Sequence, residues 1–317
     1  ASAAFPCTMR GAVTPALLSL LSSRPFMPPD SDHLSPVSLS AFFVHTPPLA
    51  RPAYCMGRRG AILACSAAAL VQWNSAPAVA SASVTQSRFV QESRAAFAAF
   101  ERGDYVEAET QWRRVSDAFP NEALAHANLA TCLIINASEQ MTLGELPTGI
   151  AHDRLQAALE AIEKATSLGA TDALLLNARG NTLGLLQRWD EARAEYDASA
   201  AVSSRDFESI PRSNAALISF QTGDLERVER EARTLMRRDP RFVDSVALLA
   251  AAKWSRGDVK GAAQAFERLC EEPQLCARYA SISVVLGRWT PRAVEAYRGL
   301  LREPSIQLTV QNARAMP

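Results

Sequence analysis

The feature that most constrains this chain is a cadence that recurs five times after residue 100. A Gly or polar residue is followed two positions on by an aromatic or apolar residue, five on by Ala or an equivalent, and usually nine on by a ring. It reads Gly103-Asp104-Tyr105 to Ala108 with Trp112, and Gln187-Arg188-Trp189 to Ala192 with Tyr196. It continues as Gly223-Asp224-Leu225 to Val228, with Ala232 in place of the ring, and Gly257-Asp258-Val259 to Ala262 with Phe266. The last copy, Gly287-Arg288-Trp289 to Ala293 with Tyr297, carries one extra residue. Self-similarity of this kind marks helix pairs stacked side by side, each touching mainly its neighbours, rather than one deep core. Gly or a small polar residue lets the chain turn tightly between two helices. Ala stands where the helices close on each other and a larger side chain would push them apart. The rings fill the space between adjoining pairs.

These segments resemble the tetratricopeptide repeat, two antiparallel helices in about 34 residues. The resemblance implies an all-α fold, a right-handed superhelix of antiparallel helix pairs, with about six repeats over residues 83–304. It assigns packing roles to Ala108, Trp112, Ala158, Gly180, Ala192, Tyr196, Ala262, Phe266, Ala293 and Tyr297. Repeat one runs from about Phe89 to Glu122. Repeat two starts at Ala123, with Leu129, Ala130 and Leu133 on its first helix and Asp153 to Leu168 as its second. Residues 136–151, with Pro147 and two glycines, read as an inserted loop between them. Repeat three runs from about Ala173 to Asp206, repeats four and five start near Ser209 and Val243, and repeat six runs from near Pro273 to near Pro304. Pro120, Pro240, Pro273 and Pro304 fall at or near the ends of second helices. Residues 305–317 read as a cap or frayed tail. Arg212 and Ser219 occupy sites that are usually apolar, so shallow packing is expected of repeat four.

The N-terminal part is a different text. Residues 1–57 carry many Pro, Ser and Ala and no sustained period, and up to Arg59 five arginines face only Asp30 and Asp32. That is the composition of a disordered organelle transit peptide. Arg58 and Arg59 then open a second unit, residues 58–82. Ala61 to Trp73 is apolar except for Ser66 and Gln72, and Ala78, Ala80 and Ala82 form two small-x-small sites. Basic, apolar, then small is the layout of a cleaved export signal, with an uncleaved anchor or a loose tail as the alternatives. The apolar run is shorter than the ~20 residues that span a bilayer, so no stable membrane span is expected after cleavage. In tandem the two units resemble the bipartite targeting sequence of thylakoid-lumen proteins, in its twin-arginine form. The resemblance implies the chloroplast thylakoid lumen, with plastid stroma or mitochondrion as alternatives.

Chemistry finds little footing. The 33 basic and 33 acidic residues cancel, which argues against nucleic acid as partner. His126 and His152 have no ligand set around them, and neither H-E-x-x-H nor C-x-x-C occurs. No nucleophile elbow, phosphate-cradling loop or dinucleotide fingerprint is found. A non-enzymatic chain is therefore expected, with no catalytic residue, cofactor or metal. Arg227, Arg230, Arg233, Arg237 and Arg238 alternate with Glu226, Glu229 and Glu231 and read as a solvated helix face. Cys132 reads as a small core residue. Cys270 and Cys276 lie across the turn at Pro273; buried free thiols are the default reading, and a disulfide stays open if their β-carbons face each other at about 4 Å.

The repeat resemblance implies that a protein or peptide binds in the concave groove made by the first helices. The matching positions are Asn128, Asn177, Arg179, Asn181 and Arg278. Asn177 and Asn181 are four apart, hence on one face. The Lys and Asn set of chaperone-binding members is incomplete. The expected function is a protein–protein interaction scaffold of the thylakoid lumen that assists assembly or maintenance of a photosynthetic complex. A permanent subunit of such a complex, or an organellar RNA- or ribosome-associated protein, are the alternatives.

Overall fold

The structure, a computed structural model, describes residues 79–314. The transit-peptide reading of 1–57 and the targeting residues Arg58, Arg59 and Ala78 lie outside the described residues. Ala80 and Ala82 fall in the first turn of the first helix. Among the described residues there are thirteen α-helices, one 3-10 turn (Ile282–Val284) and no strand.

Five antiparallel pairs come first. They are α1 (Val79–Glu101) with α2 (Tyr105–Ala118), α3 (Ala123–Ser138) with α4 (Gly149–Ser167), and α5 (Ala173–Leu185) with α6 (Trp189–Val202). Then come α7 (Ser209–Thr222) with α8 (Leu225–Arg238) and α9 (Asp244–Ser255) with α10 (Val259–Glu267). Within the array each second helix also packs on the next first helix, as α2 does on α3 and α8 on α9. The chain is thus an all-α stack of helix pairs.

The Gly-Asp dipeptides do two jobs in that stack. Gly103, Gly223 and Gly257 have φ of +76°, +96° and +80°, the left-handed region that glycine enters without strain. The Asp that follows caps the next helix: Asp104, Asp224 and Asp258 accept hydrogen bonds from the backbone N–H of Glu107, Arg227 and Gly261 at 3.1, 3.0 and 2.9 Å. Each cap satisfies a donor that the helix itself cannot. Ala108, Ala158, Ala192, Ala262 and Ala293 are all fully buried, and so are Trp112, Tyr196, Phe266 and Tyr297. The Gly180 backbone lies against the Tyr196 ring.

Three expectations are corrected. The insertion is shorter than 136–151, because α3 continues to Ser138 and α4 starts at Gly149, which leaves residues 139–148 as the loop. Asn136 is helical and buried, and its amide donates to the Tyr105 carbonyl at 2.9 Å and to Glu109 Oε2 at 2.7 Å. Repeat four is not shallow. Ser219 is fully buried with its hydroxyl donated to the Ala215 carbonyl at 3.0 Å, and Arg212 reaches Glu208 at 2.6 Å and Glu231 at 3.3 Å.

Repeat six does not form a stacked pair. Its first helix, α11 (Pro273–Tyr279), has only seven residues, too few to pair along a second helix. The segment α12 (Pro291–Leu300) packs chiefly on α9 and on α7, and α13 (Pro304–Arg314) covers α10 and α11. Because α8 and α10 hold the other side of α9, the C-terminal half has three layers: second helices outside, first helices in the middle, α12 inside. Thr290 Oγ1 donates to the Leu217 carbonyl at 3.1 Å and the Arg292 N–H to Gln221 Oε1 at 3.0 Å.

Candidate interaction surfaces

The inner face, where the repeat pattern puts a ligand groove, is largely occupied by the chain itself. From Ala247 to Ala252 every residue of α9 is buried, and from Ser213 to Phe220 every residue of α7. A helix apolar on all sides belongs inside a protein, not on a groove floor. On this face α12 supplies the cover for α7 and α9.

The five proposed groove residues do not form one open site. Asn128, Asn177 and Asn181 are buried. Asn177 Oδ1 accepts from the Asn214 amide of α7 at 3.0 Å, and Asn181 Oδ1 accepts from the Tyr196 hydroxyl at 2.7 Å. The polarity of Asn177 and Asn181 is thus turned inward to join neighbouring helices, while the Asn128 amide is buried without a hydrogen bond. The arginines do reach solvent, each on its own helix. Arg179 faces Glu195 of α6 at 3.3 Å, and the Arg278 guanidinium stands over the Tyr279 ring at 5.7 Å.

A shallow cleft remains where the 139–148 loop, the α5–α6 turn and the start of α12 meet. Met141, Leu143, Gln187, Trp189, Trp289 and Pro291 wall it. Gln187 donates to the Gly144 carbonyl at 3.3 Å and ties the loop to the turn. Its internal volume is about 30 Å³, against the several hundred Å³ of a small-molecule site, so the cleft is a seam rather than a ligand pocket.

The outer edge of repeats one and two is different. Glu109 of α2 and Arg154 of α4 form an ion pair at 3.0 Å. Burial pushes the Glu109 carboxyl upward, but the Asn136 amide and the Arg113 and Arg154 guanidinium groups outweigh it and hold the carboxyl below its usual range. Val106 lies one turn before Glu109 and Ile150 one turn before Arg154, on the same helix faces. Both helices are second helices, and the Glu109–Arg154 pair joins them along this edge. Leu146 lies near the end of the loop that leads into α4. These three are 60%, 65% and 64% exposed for Val106, Ile150 and Leu146, and they are half of the large apolar side chains left exposed among the described residues.

The remaining candidates are structural. Cys270 and Cys276 are joined by a disulfide with Cα atoms 4.2 Å apart, in place of the free thiols taken as default. Cys132 is a buried free thiol whose pKa is raised by burial. His126 Nε2 lies 3.1 Å from the Pro120 carbonyl, and His152 is exposed. On α8, Arg227 pairs with Asp197 at 2.6 Å and Arg238 with Glu208 at 2.7 Å across helices, and Arg233 with Glu229 of α8 itself at 2.9 Å, while Arg230, Arg233, Arg237 and Arg238 are exposed as a solvated face. Among the described residues no three His, Cys, Asp or Glu side chains converge on a metal site, and no helix is long and apolar enough to cross a membrane.

No protein-family model matches the chain, and no curated protein matches it. Solved structures do. PilF of Pseudomonas aeruginosa is 16% identical over 73% of this chain and 98% of its own, with a TM-score of 0.46. PilW, a type IV pilus biogenesis factor, is 19% identical over 70% and 98%, with a TM-score of 0.47. YrrB, a tetratricopeptide repeat protein with an unusual peptide-binding site, is 11% identical over 70% and 89%, with a TM-score of 0.43. By its own packing, with alanines and rings buried where helices meet, the chain is an all-α array of stacked antiparallel helix pairs whose C-terminal helix α12 folds back onto α7 and α9.

Proposed function

We propose that the protein is a non-enzymatic protein-binding scaffold of the thylakoid lumen that helps to assemble or maintain a photosynthetic complex. The exposed side chains Val106, Leu146 and Ile150 at the α2–α4 junction carry the binding part of this reading. Large apolar side chains left exposed are a usual mark of a protein contact, and on α2 and α4 they stand one turn from the Arg113–Glu109–Arg154 ion pairs. The partner is a protein that presents apolar side chains to this edge. Stacked pairs hold the edge rigid, because each pair is braced by its neighbours. The tandem N-terminal pattern with Arg58 and Arg59 supports the lumenal address.

Protease protection in isolated thylakoids, followed by N-terminal sequencing, tests the address. A protected chain that begins near Ala80 or Ala82 is expected, and an intact N-terminus in a stromal pool would overturn it. Crosslinked capture with the wild type and with Val106→Glu/Ile150→Glu tests the binding edge. Recovery of thylakoid-complex subunits by the wild type alone is expected; equal recovery by both, or recovery of RNA, would contradict the reading.

A further inference from the structure

The C-terminal arm is fastened at the point where it leaves the stack. The Cys270–Cys276 disulfide bridges Pro273 and fixes α11 to the end of the fifth pair. Tyr279 lies one turn after Cys276 on the same helix. Its hydroxyl donates to the Asp244 carboxylate at the start of α9, and its backbone carbonyl accepts from the Tyr297 hydroxyl of α12 at 2.7 Å. Asp244 also accepts both guanidinium arms of Arg288, one of them at 2.9 Å. The disulfide, Tyr279, Asp244, Arg288 and α12 therefore form one unbroken series of contacts.

The stretch from Gly287 to Tyr297 carries the repeat cadence of a second helix. Here Ala293 and Tyr297 are buried while the helix lies on α9 and α7. A helix with the cadence of a second helix thus lies on the inner face, and α11 is the short element that leads the chain there. We propose that the Cys270–Cys276 disulfide is a redox clip that holds α12 on the inner face, and that its reduction releases α12 and bares α7 and α9. This stands independently of the binding edge at α2 and α4.

The reductant is a dithiol. One of its thiolates attacks a clip sulfur, the S–S bond breaks, and the other cysteine leaves as a thiolate that takes up a proton. The second reductant thiol then displaces the mixed disulfide, so two electrons and two protons pass to the pair and the reductant becomes a disulfide. Both cysteines are buried, and Cys270, 7% exposed against 1% for Cys276, is the less covered of the two. Release frees the Leu217 carbonyl and the Gln221 amide, now held by Thr290 and Arg292.

Hydrogen exchange of the full chain with and without dithiothreitol tests the clip, with differential alkylation to map each cysteine. In the absence of reductant Cys270 and Cys276 should resist alkylation as a pair. Reduction should speed exchange of residues 285–300 by about tenfold or more, the effect of losing a short-loop disulfide, while α1 to α6 stay unchanged. Cys270→Ser/Cys276→Ser should show the fast exchange without reductant and no further response to it. Arg288→Met should speed the same stretch with the disulfide intact. Alkylation of both cysteines before reduction, an unchanged 285–300 in reductant, or equal acceleration across every helix would each overturn the proposal; the wild type in reductant suffices if the double variant does not fold.

Discussion

Gly180 of α5 lies against the ring of Tyr196 in α6 so closely that a methyl group at Gly180 would meet the ring at 2.7 Å. The ring cannot swing away, because it is fully buried and its hydroxyl is given to Asn181 at 2.7 Å. Alanine in a helix ordinarily gains about 1 kcal/mol over glycine. Here the clash outweighs that gain, and Gly180→Ala should destabilise the protein by about 1–3 kcal/mol. Urea unfolding gives the sign, and a higher midpoint for the variant would show that the two helices are not in contact there.

Glu109 gives a pH dependence. It accepts from Asn136 at 2.7 Å and from Arg113 and Arg154 at 3.0 Å each. Its pKa is held below the unfolded value, so its contribution is present above the ordinary carboxylate range and is lost as pH falls through the folded value. Glu109→Gln should cost about 2 kcal/mol at pH 7, and less as the pH drops. Denaturant titrations of both proteins between pH 7 and pH 3 read the gap; a gap that widens on acidification would contradict the sign. Glu208, lowered by Arg212 and Arg238 against its burial, supplies a second contribution of the same sign.

Gly299 of α12 faces the Trp254 ring of α9, and a Cβ there would lie 2.2 Å from it. Trp254 is also tethered, with its ring N–H donated to Glu303 at 2.7 Å. Gly299→Val should therefore push α12 off α9 and speed exchange of 285–300 about tenfold or more, with α1 to α6 unaffected. Unaltered exchange in that stretch would mean α12 does not rest on α9.

Val106 and Ile150 are exposed and make no core contact to lose. Val106→Glu/Ile150→Glu should leave stability within about 0.5 kcal/mol of the wild type. A larger loss in thermal unfolding would assign the two side chains to packing and remove the binding edge.

The cadence made the helix pairs legible, because Gly, Ala and a ring at fixed offsets answer to steric needs that are local to one pair. The capping role of Asp104, Asp224 and Asp258 was missed, because each Gly-Asp dipeptide reads as a turn alone rather than as turn plus cap. The asparagines misled. Spacing puts Asn177 and Asn181 on one face but does not say whether that face meets solvent or the next helix. The missed signal was the apolar run Val246 to Ala252, which leaves α9 no polar stripe for a groove. Repeat six misled for a related reason: its rings keep the pattern, while the shortness of α11 and the fold-back depend on contacts with α9 that lie far away in the chain.

A disulfide trap tests most directly whether the array closes on itself. A Cβ at Gly144 would lie 3.6 Å from the Pro291 Cβ, so the inserted loop of repeat two touches the first residue of α12. That separation suits a disulfide. In Gly144→Cys/Pro291→Cys, mild oxidation should join the two cysteines almost completely, as read by peptide mapping. Two free cysteines at positions 144 and 291 after oxidation, in a protein with unchanged helix content, would place α12 away from the inner face.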